Sequence, residues 1–144
     1  MLNVDIDSII PHRAPIKIIS EVLDAQEDTG TTCAVVSPAW PLFENGVVNS
    51  LVLVEAVAQT AAVIEGYKRL KQGKDNVKGW LVGIKSAHFY MEKIPVGTKL
   101  TVFVESKYSL DNYAVIEGTV KGDEKILGTM VLQALRLNED NITQ

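Results

Sequence analysis

The chain has 144 residues, 47% of them hydrophobic, which is ordinary for a globular domain able to bury its own core. A net charge of −4 argues against general affinity for nucleic acid, and the single cysteine, Cys33, excludes an internal disulfide. The N-terminus, with Asp5 and Asp7, does not resemble a signal peptide. We therefore expect one domain over residues 1–144 of a cytoplasmic protein, with small molecules or proteins as partners and neither nucleic acid nor membrane.

The first third of the chain predicts a short helical turn followed by a hairpin. Residues 5–10 are acidic at their start, where the helix dipole favours negative charge, and Pro11 ends them. The β-branched residues from 16 to 25 predict a strand, and a turn at 27–30 leads into a second strand over 31–36. Residues 37–46 contain two prolines and an Asn-Gly pair and therefore predict a loop.

The stretch from Val47 to Tyr67 is apolar nearly all round and predicts a long helix, capped by Asn49 or Ser50 and ending near Leu70. Such a helix must be enclosed by protein or lipid, and lipid is the weaker option because several polar residues interrupt the stretch. Alanines at 56, 58, 61 and 62 leave room for other backbone to approach closely.

Every segment after the helix predicts a strand, over residues 79–90, 99–110, 113–121 and 125–137, with turn-forming residues between them. The polar tail from about 138 is expected to fray. Two strands, one long helix and four further strands predict an α+β architecture, in which a curved antiparallel sheet of about six strands wraps the helix.

Glu55 and Gln59 stand four residues apart and so share one face of the predicted helix. Burying a carboxylate among apolar residues is costly, which makes Glu55 the first candidate for a catalytic acid. The alternative is a structural carboxylate at the start of the helix. Gln59 is interpreted first as a hydrogen-bonding partner of Glu55 and second as a substrate contact.

Three motifs carry a resemblance to a known family over residues 5–136. They are Pro11-His12-Arg13 followed by Pro15, the helical segment Glu55-Ala56-Val57-Ala58-Gln59, and the strand from Phe89 with its turn at Pro95-Val96-Gly97. Together they resemble the β-hydroxyacyl-acyl-carrier-protein dehydratases, which have the hot-dog fold. The turn at Phe43-Glu44-Asn45-Gly46 is similar to one in accessory dehydratase-like proteins of polyene-type pathways, so the chain is identified as a divergent member of this wider group.

The resemblance implies that Glu55 is the acid that helps the substrate hydroxyl leave as water. The family's base is a loop histidine of the other subunit, and here Trp40 or its neighbour occupies that position. The family's Pro-Gly before the helix, whose glycine amide polarises the thioester carbonyl, is replaced by Asn49-Ser50. By the same resemblance Ser50, Trp40 and Phe43 become candidate substrate contacts, with core packing as the alternative for the aromatic residues, Trp80 included.

The implied function is dehydration, or binding, of a (3R)-hydroxyacyl thioester on acyl carrier protein or coenzyme A, in fatty-acid or polyene-type biosynthesis. The alternatives are a non-catalytic subunit that binds acyl carrier protein beside an active dehydratase, and an acyl thioesterase. A homodimer or higher even oligomer, joined through the strand after the helix, is also implied. No cofactor is expected, and His12, His88 and Cys33 have no metal-ligand spacing.

Four further features have both a functional and a structural interpretation. His12 matches a structural histidine of the family, and Cys33 is most simply a small buried residue. His88 replaces the missing base only if its strand directs it inward. Lys68, Arg69 and Lys71, with Lys74 and Lys78 nearby, form either a dock for the acidic acyl carrier protein or a solvated helix end.

Overall fold

The computed structural model describes residues 2–10, 13, 16–74, 78–110 and 112–137. His12, most of the motif at 11–15 and the tail from 138 lie outside these ranges, and the side chains of Lys78 and Trp80 lie outside the part that the structure describes.

The main sheet has six antiparallel strands in the order β1-β2-β7-β8-β9-β5. Its last three hairpin-connected strands form the predicted meander, and β5 closes the sheet beside β9. This confirms the predicted six-stranded antiparallel sheet with one long helix. The strand bounds are β1 Glu21–Ala25, β2 Thr29–Val35, β5 Lys78–Phe89, β7 Lys99–Leu110, β8 Tyr113–Gly122 and β9 Lys125–Leu137.

A second, smaller sheet lies beside the start of the long helix and was not predicted. It consists of β3 (Phe43–Glu44), β4 (Val47–Asn49) and β6 (Lys93–Pro95), in the order β3-β4-β6. The prediction of an unstructured loop over 37–46 is therefore wrong at its end. The connection between β3 and β4 uses left-handed backbone at Asn45 (φ 51°) and Gly46 (φ 83°), as a tight hairpin turn requires.

Helix α1 (Ile6–Ile9) is the predicted short turn, and α2 (Val52–Lys71) is the long helix. The N-cap prediction is wrong, because the N-cap residue is Leu51 and it makes no side-chain capping bond. Asn49 belongs to β4, and its side-chain Oδ1 accepts a hydrogen bond from the Leu51 amide at 2.9 Å. The strand predicted over 16–25 is also shorter than expected, since β1 begins at Glu21.

Helix α2 is enclosed as its apolar composition predicts. Its fully buried side chains belong to the core that it shares with the main sheet, and several others are partly buried against that core, whereas Leu70 near its end is 65% exposed. Buried residues recur at three- and four-residue spacing, which places them on one helix face. They are Val52, Leu53, Ala56, Val57, Gln59, Thr60, Val63, Ile64 and Gly66.

Two glycines of the sheet allow the helix to lie this close. A Cβ added at Gly118 of β8 would clash with the side chain of Val57, and one added at Gly30 of β2 would clash with Ile64. The close approach therefore depends on absent side chains in the sheet as well as on alanines in the helix. It fixes the depth at which α2, and with it Glu55, sits in the fold.

Candidate active site

The candidate site lies at the junction between strand β4 of the small sheet and the start of α2. Ser50 joins β4 to the helix and is 3% exposed. Its amide donates to the Glu92 carbonyl at 2.9 Å, and its own carbonyl accepts from the Leu53 amide at 2.9 Å. The Ser50 amide is therefore already hydrogen-bonded within the chain. A contact between Ser50 and substrate stays a prediction.

Glu55 lies in the first turn of α2 and is partly exposed, whereas Gln59 one turn later is fully buried. The Gln59 side-chain Nε2 donates to Glu55 Oε1 at 3.1 Å. The predicted pairing of carboxylate and amide on one helix face is thus present. Glu55 has one side towards solvent and one towards a buried amide, which suits a group that must meet a substrate and keep its orientation.

Gln59 also contacts the backbone of the segment that precedes β1. Its Nε2 donates to the Ile16 carbonyl at 2.6 Å, and its Oε1 accepts from the Ile18 amide at 2.8 Å. The same segment is fastened to α1, because Lys17 Nζ lies 2.7 Å from Asp7 Oδ1. This hydrogen bond with Lys17 lowers the pKa of Asp7. No pattern in the sequence indicated that residues 16–19 approach the helix here.

The two aromatic candidates differ in exposure. Trp40 is 8% exposed and belongs to the hydrophobic core, whereas Phe43 is 40% exposed on β3. Between them Leu42 has left-handed backbone (φ 64°) and is 53% exposed. Core packing is therefore what the structure provides for Trp40. Leu42 is an exposed apolar residue next to the site that the sequence analysis did not single out.

His88 does not face Glu55. Its neighbours Ala87 and Phe89 pack against the core around α2, so His88 projects from the opposite, outer face of the main sheet. There it lines an open depression of about 300 Å³ together with Ser86, Glu117, Thr119, Thr129 and Val131. The condition under which His88 would replace the missing base, an inward orientation, is not met.

Cys33 of β2 is partly buried, and its Sγ lies 3.7 Å from Glu21 Oε2. Burial, with the nearby Glu21 carboxylate, raises the pKa of this thiol. Less of it is thiolate at neutral pH than in an ordinary exposed cysteine, so the geometry disfavours a nucleophile, in line with the structural interpretation.

The basic residues lie in the last turn of α2, at the opposite end of the helix from Glu55. Lys68 and Arg69 are partly exposed and Lys71 is exposed, with its Nζ 5.4 Å from the centre of the Tyr67 ring. Lys74 beyond the helix is exposed as well. Positive charge at this end is stabilised by the helix dipole whatever its function.

Strand β5 is an edge strand of the main sheet, because it pairs with β9 alone within the described part of the chain. Three of its large apolar side chains are exposed: Leu81 (42%), Val82 (55%) and Ile84 (52%). A long edge strand with exposed apolar residues is a template for pairing with another strand.

Among the described residues there is no helix long and apolar enough to cross a membrane. No group of three metal-ligating side chains was found in the same residues.

The model of one protein family, ApeP-like (ApeP dehydratase), matches residues 4–143. The chain belongs to the ApeP-like dehydratase family. It is also 29% identical over 140 residues to the 3-hydroxyacyl-[acyl-carrier-protein] dehydratase FabZ of Streptococcus thermophilus, covering 91% of this chain and 96% of that protein.

Solved structures show the same fold at low sequence identity. A chain of the dehydratase heterocomplex ApeI:P from Xenorhabdus doucetiae superposes with a TM-score of 0.90 at 19% identity, over 99% of this chain and 97% of that one. A hypothetical thioesterase from Streptococcus pneumoniae, solved with coenzyme A, gives a TM-score of 0.64 at 12% identity, covering 82% and 85%. These neighbours and the ApeP-like family confirm the hot-dog fold and the predicted kinship with FabZ-like dehydratases.

Proposed function

We propose that this protein serves dehydration of a (3R)-3-hydroxyacyl thioester carried by acyl carrier protein, with Glu55 as the acid. Its family and its FabZ relatives place it among hydroxyacyl-carrier-protein dehydratases of fatty-acid or polyene-type biosynthesis. The observation that carries the proposal is the Glu55 carboxyl, partly exposed and held by a buried amide at the start of the central helix.

The reaction needs a base as well as an acid. The base removes a proton from C2, the electron pair forms the C2–C3 double bond, and the C3–O bond breaks. Glu55 gives its proton to the departing hydroxyl, which leaves as water. The product is a 2-enoyl thioester, and the protein returns to its starting state once the proton passes from base to acid through solvent.

The missing loop histidine favours a second chain as the source of that base. Trp40 stands at or next to the family's histidine position, and His88 faces away from Glu55. We therefore propose that β5 pairs with the matching edge of a partner dehydratase subunit, whose loop brings a histidine to Glu55. The heterocomplex formed by the Xenorhabdus doucetiae relative is a precedent for such an assembly. A homodimer would join two acids and no histidine at the position where the family has its catalytic one.

Mixing tests this proposal directly. Neither this chain alone nor a partner with its own helical acid replaced should hydrate a crotonyl thioester appreciably, whereas the co-purified complex of the two should. A chain that stays strictly self-paired and is fully active would exclude the partner requirement. Release of free thiol from acyl thioesters, without hydration, would instead support the thioesterase alternative.

The basic end of α2 is our proposed dock for acyl carrier protein. Lys68, Arg69 and Lys71 present positive charge that complements an acidic carrier. Reversing Lys68 and Lys71 to glutamate should weaken carrier binding on the order of tenfold at low salt, with a smaller effect at high salt because exposed charges are screened. Titration calorimetry at two ionic strengths measures both.

A matched control is available on the outer face of the sheet. Lys99 and Lys121 are exposed, and their double reversal to glutamate changes the net charge by the same amount. Equal weakening by both double variants would show a general charge effect and would remove the dock from the α2 end.

A further inference from the structure

The side chain of Gln59 is fully buried and hydrogen-bonds both to Glu55 and to the backbone of the segment before β1. Its Oε1 accepts from the Ile18 amide at 2.8 Å and, more distantly, from the Ile19 amide at 3.5 Å. Its Nε2 donates one hydrogen to the Ile16 carbonyl at 2.6 Å and the other to Glu55 Oε1 at 3.1 Å. Both hydrogens of the amide nitrogen are therefore used, and so is its oxygen.

The backbone of residues 16–19 decides which way this amide points. Turning the amide by 180° would set its nitrogen against the Ile18 N–H and its oxygen against the Ile16 carbonyl. Both contacts would then be repulsive in a site closed to water, where an unsatisfied polar group is destabilising. The N–H directed at Glu55 is thus fixed by main-chain groups and not by Glu55 itself.

We propose that Gln59 is a positioning residue that holds the Glu55 carboxyl through Oε1 and so sets the orientation in which this acid meets the substrate hydroxyl. This inference rests on the proposed role of Glu55 as acid. A protonated carboxyl has one carbonyl-type oxygen and one hydroxyl oxygen. A donor at Oε1 is best accepted by the carbonyl-type form of that oxygen, so the amide and the protonated carboxyl are matched. The amide also holds the carboxyl orientation, which reduces the ordering needed to reach the reactive geometry.

A purely structural role predicts something different. If Gln59 only ties residues 16–19 to the helix, its removal costs stability and leaves the environment of Glu55 unchanged. Thr60 offers the matched control, since it is equally buried on the same helix. Its hydroxyl lies 2.7 Å from the Thr32 hydroxyl and donates to the Ala56 carbonyl at 2.7 Å. Thr60→Val removes these bonds at constant shape without touching Glu55.

The first measurement does not depend on turnover or on a buried substitution. In ¹⁵N–¹H spectra of the full chain, Glu55→Leu should move one of the two Gln59 side-chain amide protons upfield and leave the other, donated to Ile16, in place. Glu65→Leu, on the same helix, should move neither. If Glu55→Leu leaves both Gln59 protons unchanged, the pairing does not exist in solution and the inference is overturned.

The second measurement uses the assembled, active complex. Gln59→Met should lower kcat on the order of 10- to 100-fold with KM within about twofold, because orientation is lost while substrate binding remains. It should also change the ¹³C shift of the Glu55 carboxyl, and Thr60→Val should do neither. Equal kcat in the two variants would overturn the inference. An inert wild-type complex whose Gln59 proton still responds to Glu55→Leu would refute the proposed function alone.

Discussion

Glu55→Gln is expected to slow hydration of a crotonyl thioester by at least about 100-fold in the assembled protein. General acid–base groups contribute about 10²- to 10⁴-fold, and an amide has the shape of the carboxyl without its transferable proton. The substitution keeps an oxygen that can accept the Gln59 N–H, so the fold and the hydrogen bond at 3.1 Å are preserved. Loss of absorbance of the enoyl thioester follows the reaction.

Three results decide how the Glu55→Gln variant is interpreted. Glu65→Gln, ten residues further along the same helix and also partly exposed, should retain the wild-type rate. Hydration that continues unchanged in Glu55→Gln would remove Glu55 from the chemistry. A wild-type complex as inert as the variant would remove the enzymatic function itself and leave a binding protein.

Gly118→Ala is expected to destabilise the fold by about 2 kcal/mol or more. The new methyl group would lie 2.7 Å from Val57 Cγ2, in a buried contact between β8 and α2 that has no room for it. Overpacking of this kind typically costs about 1–3 kcal/mol, because helix and sheet must separate or a side chain must leave its rotamer. Urea denaturation followed by circular dichroism gives the free energy of unfolding.

The partner substitution identifies the cause. Val57→Ala alone should cost about 2 kcal/mol through the cavity it leaves. The double variant Gly118→Ala/Val57→Ala should be less destabilised than the sum of the two by about 1–2 kcal/mol, since each change fills the space or relieves the clash made by the other. Strict additivity would show that Gly118 matters for a reason other than its contact with Val57. Thr119→Ala, on the outer face, should change stability little.

The main architecture was predictable because it depends on local patterns. Strands 99–110 and 125–137 begin and end in the structure at the residues where turn formers flank them. The long apolar stretch that begins at Val47 predicted the helix and indicated that other parts of the protein must enclose it. The sequence analysis attributed the close approach of helix and sheet to the helix alanines, but Gly30 and Gly118 of the sheet also allow it. Tertiary packing alone determines which helix residue each glycine faces, so the sequence could not show it.

The small sheet of β3, β4 and β6 could not be predicted from the sequence. Its strands have two or three residues each, too few to show an alternating pattern, and β6 reaches β4 from more than forty residues away. Prolines at 41 and 95 argued for loops at both places. The helix start moved for the same reason, because Val47–Asn49 pair with Lys93–Pro95 and are not available to the helix.

Half of the candidate site followed from helix geometry and half did not. Glu55 and Gln59 were paired by their four-residue spacing, and the structure brings them together. The backbone partners of Gln59 at residues 16–19 are some forty residues distant, so no local signal identifies them. His88 was ambiguous because β5 has irregular register between Leu81 and Gly83 and between Ile84 and Ser86, which defeats a simple count of alternating faces.

The central claim is that Glu55 acts on a 3-hydroxyacyl thioester in a site shared with a partner subunit. A crystal structure of the complex with a stable 3-hydroxyacyl-pantetheine analogue tests it most directly. We expect the Glu55 carboxyl to lie within hydrogen-bonding distance of the C3 hydroxyl and a histidine of the partner subunit to lie beside C2. An analogue bound elsewhere, or a Glu55 carboxyl surrounded only by groups of its own chain, would contradict it.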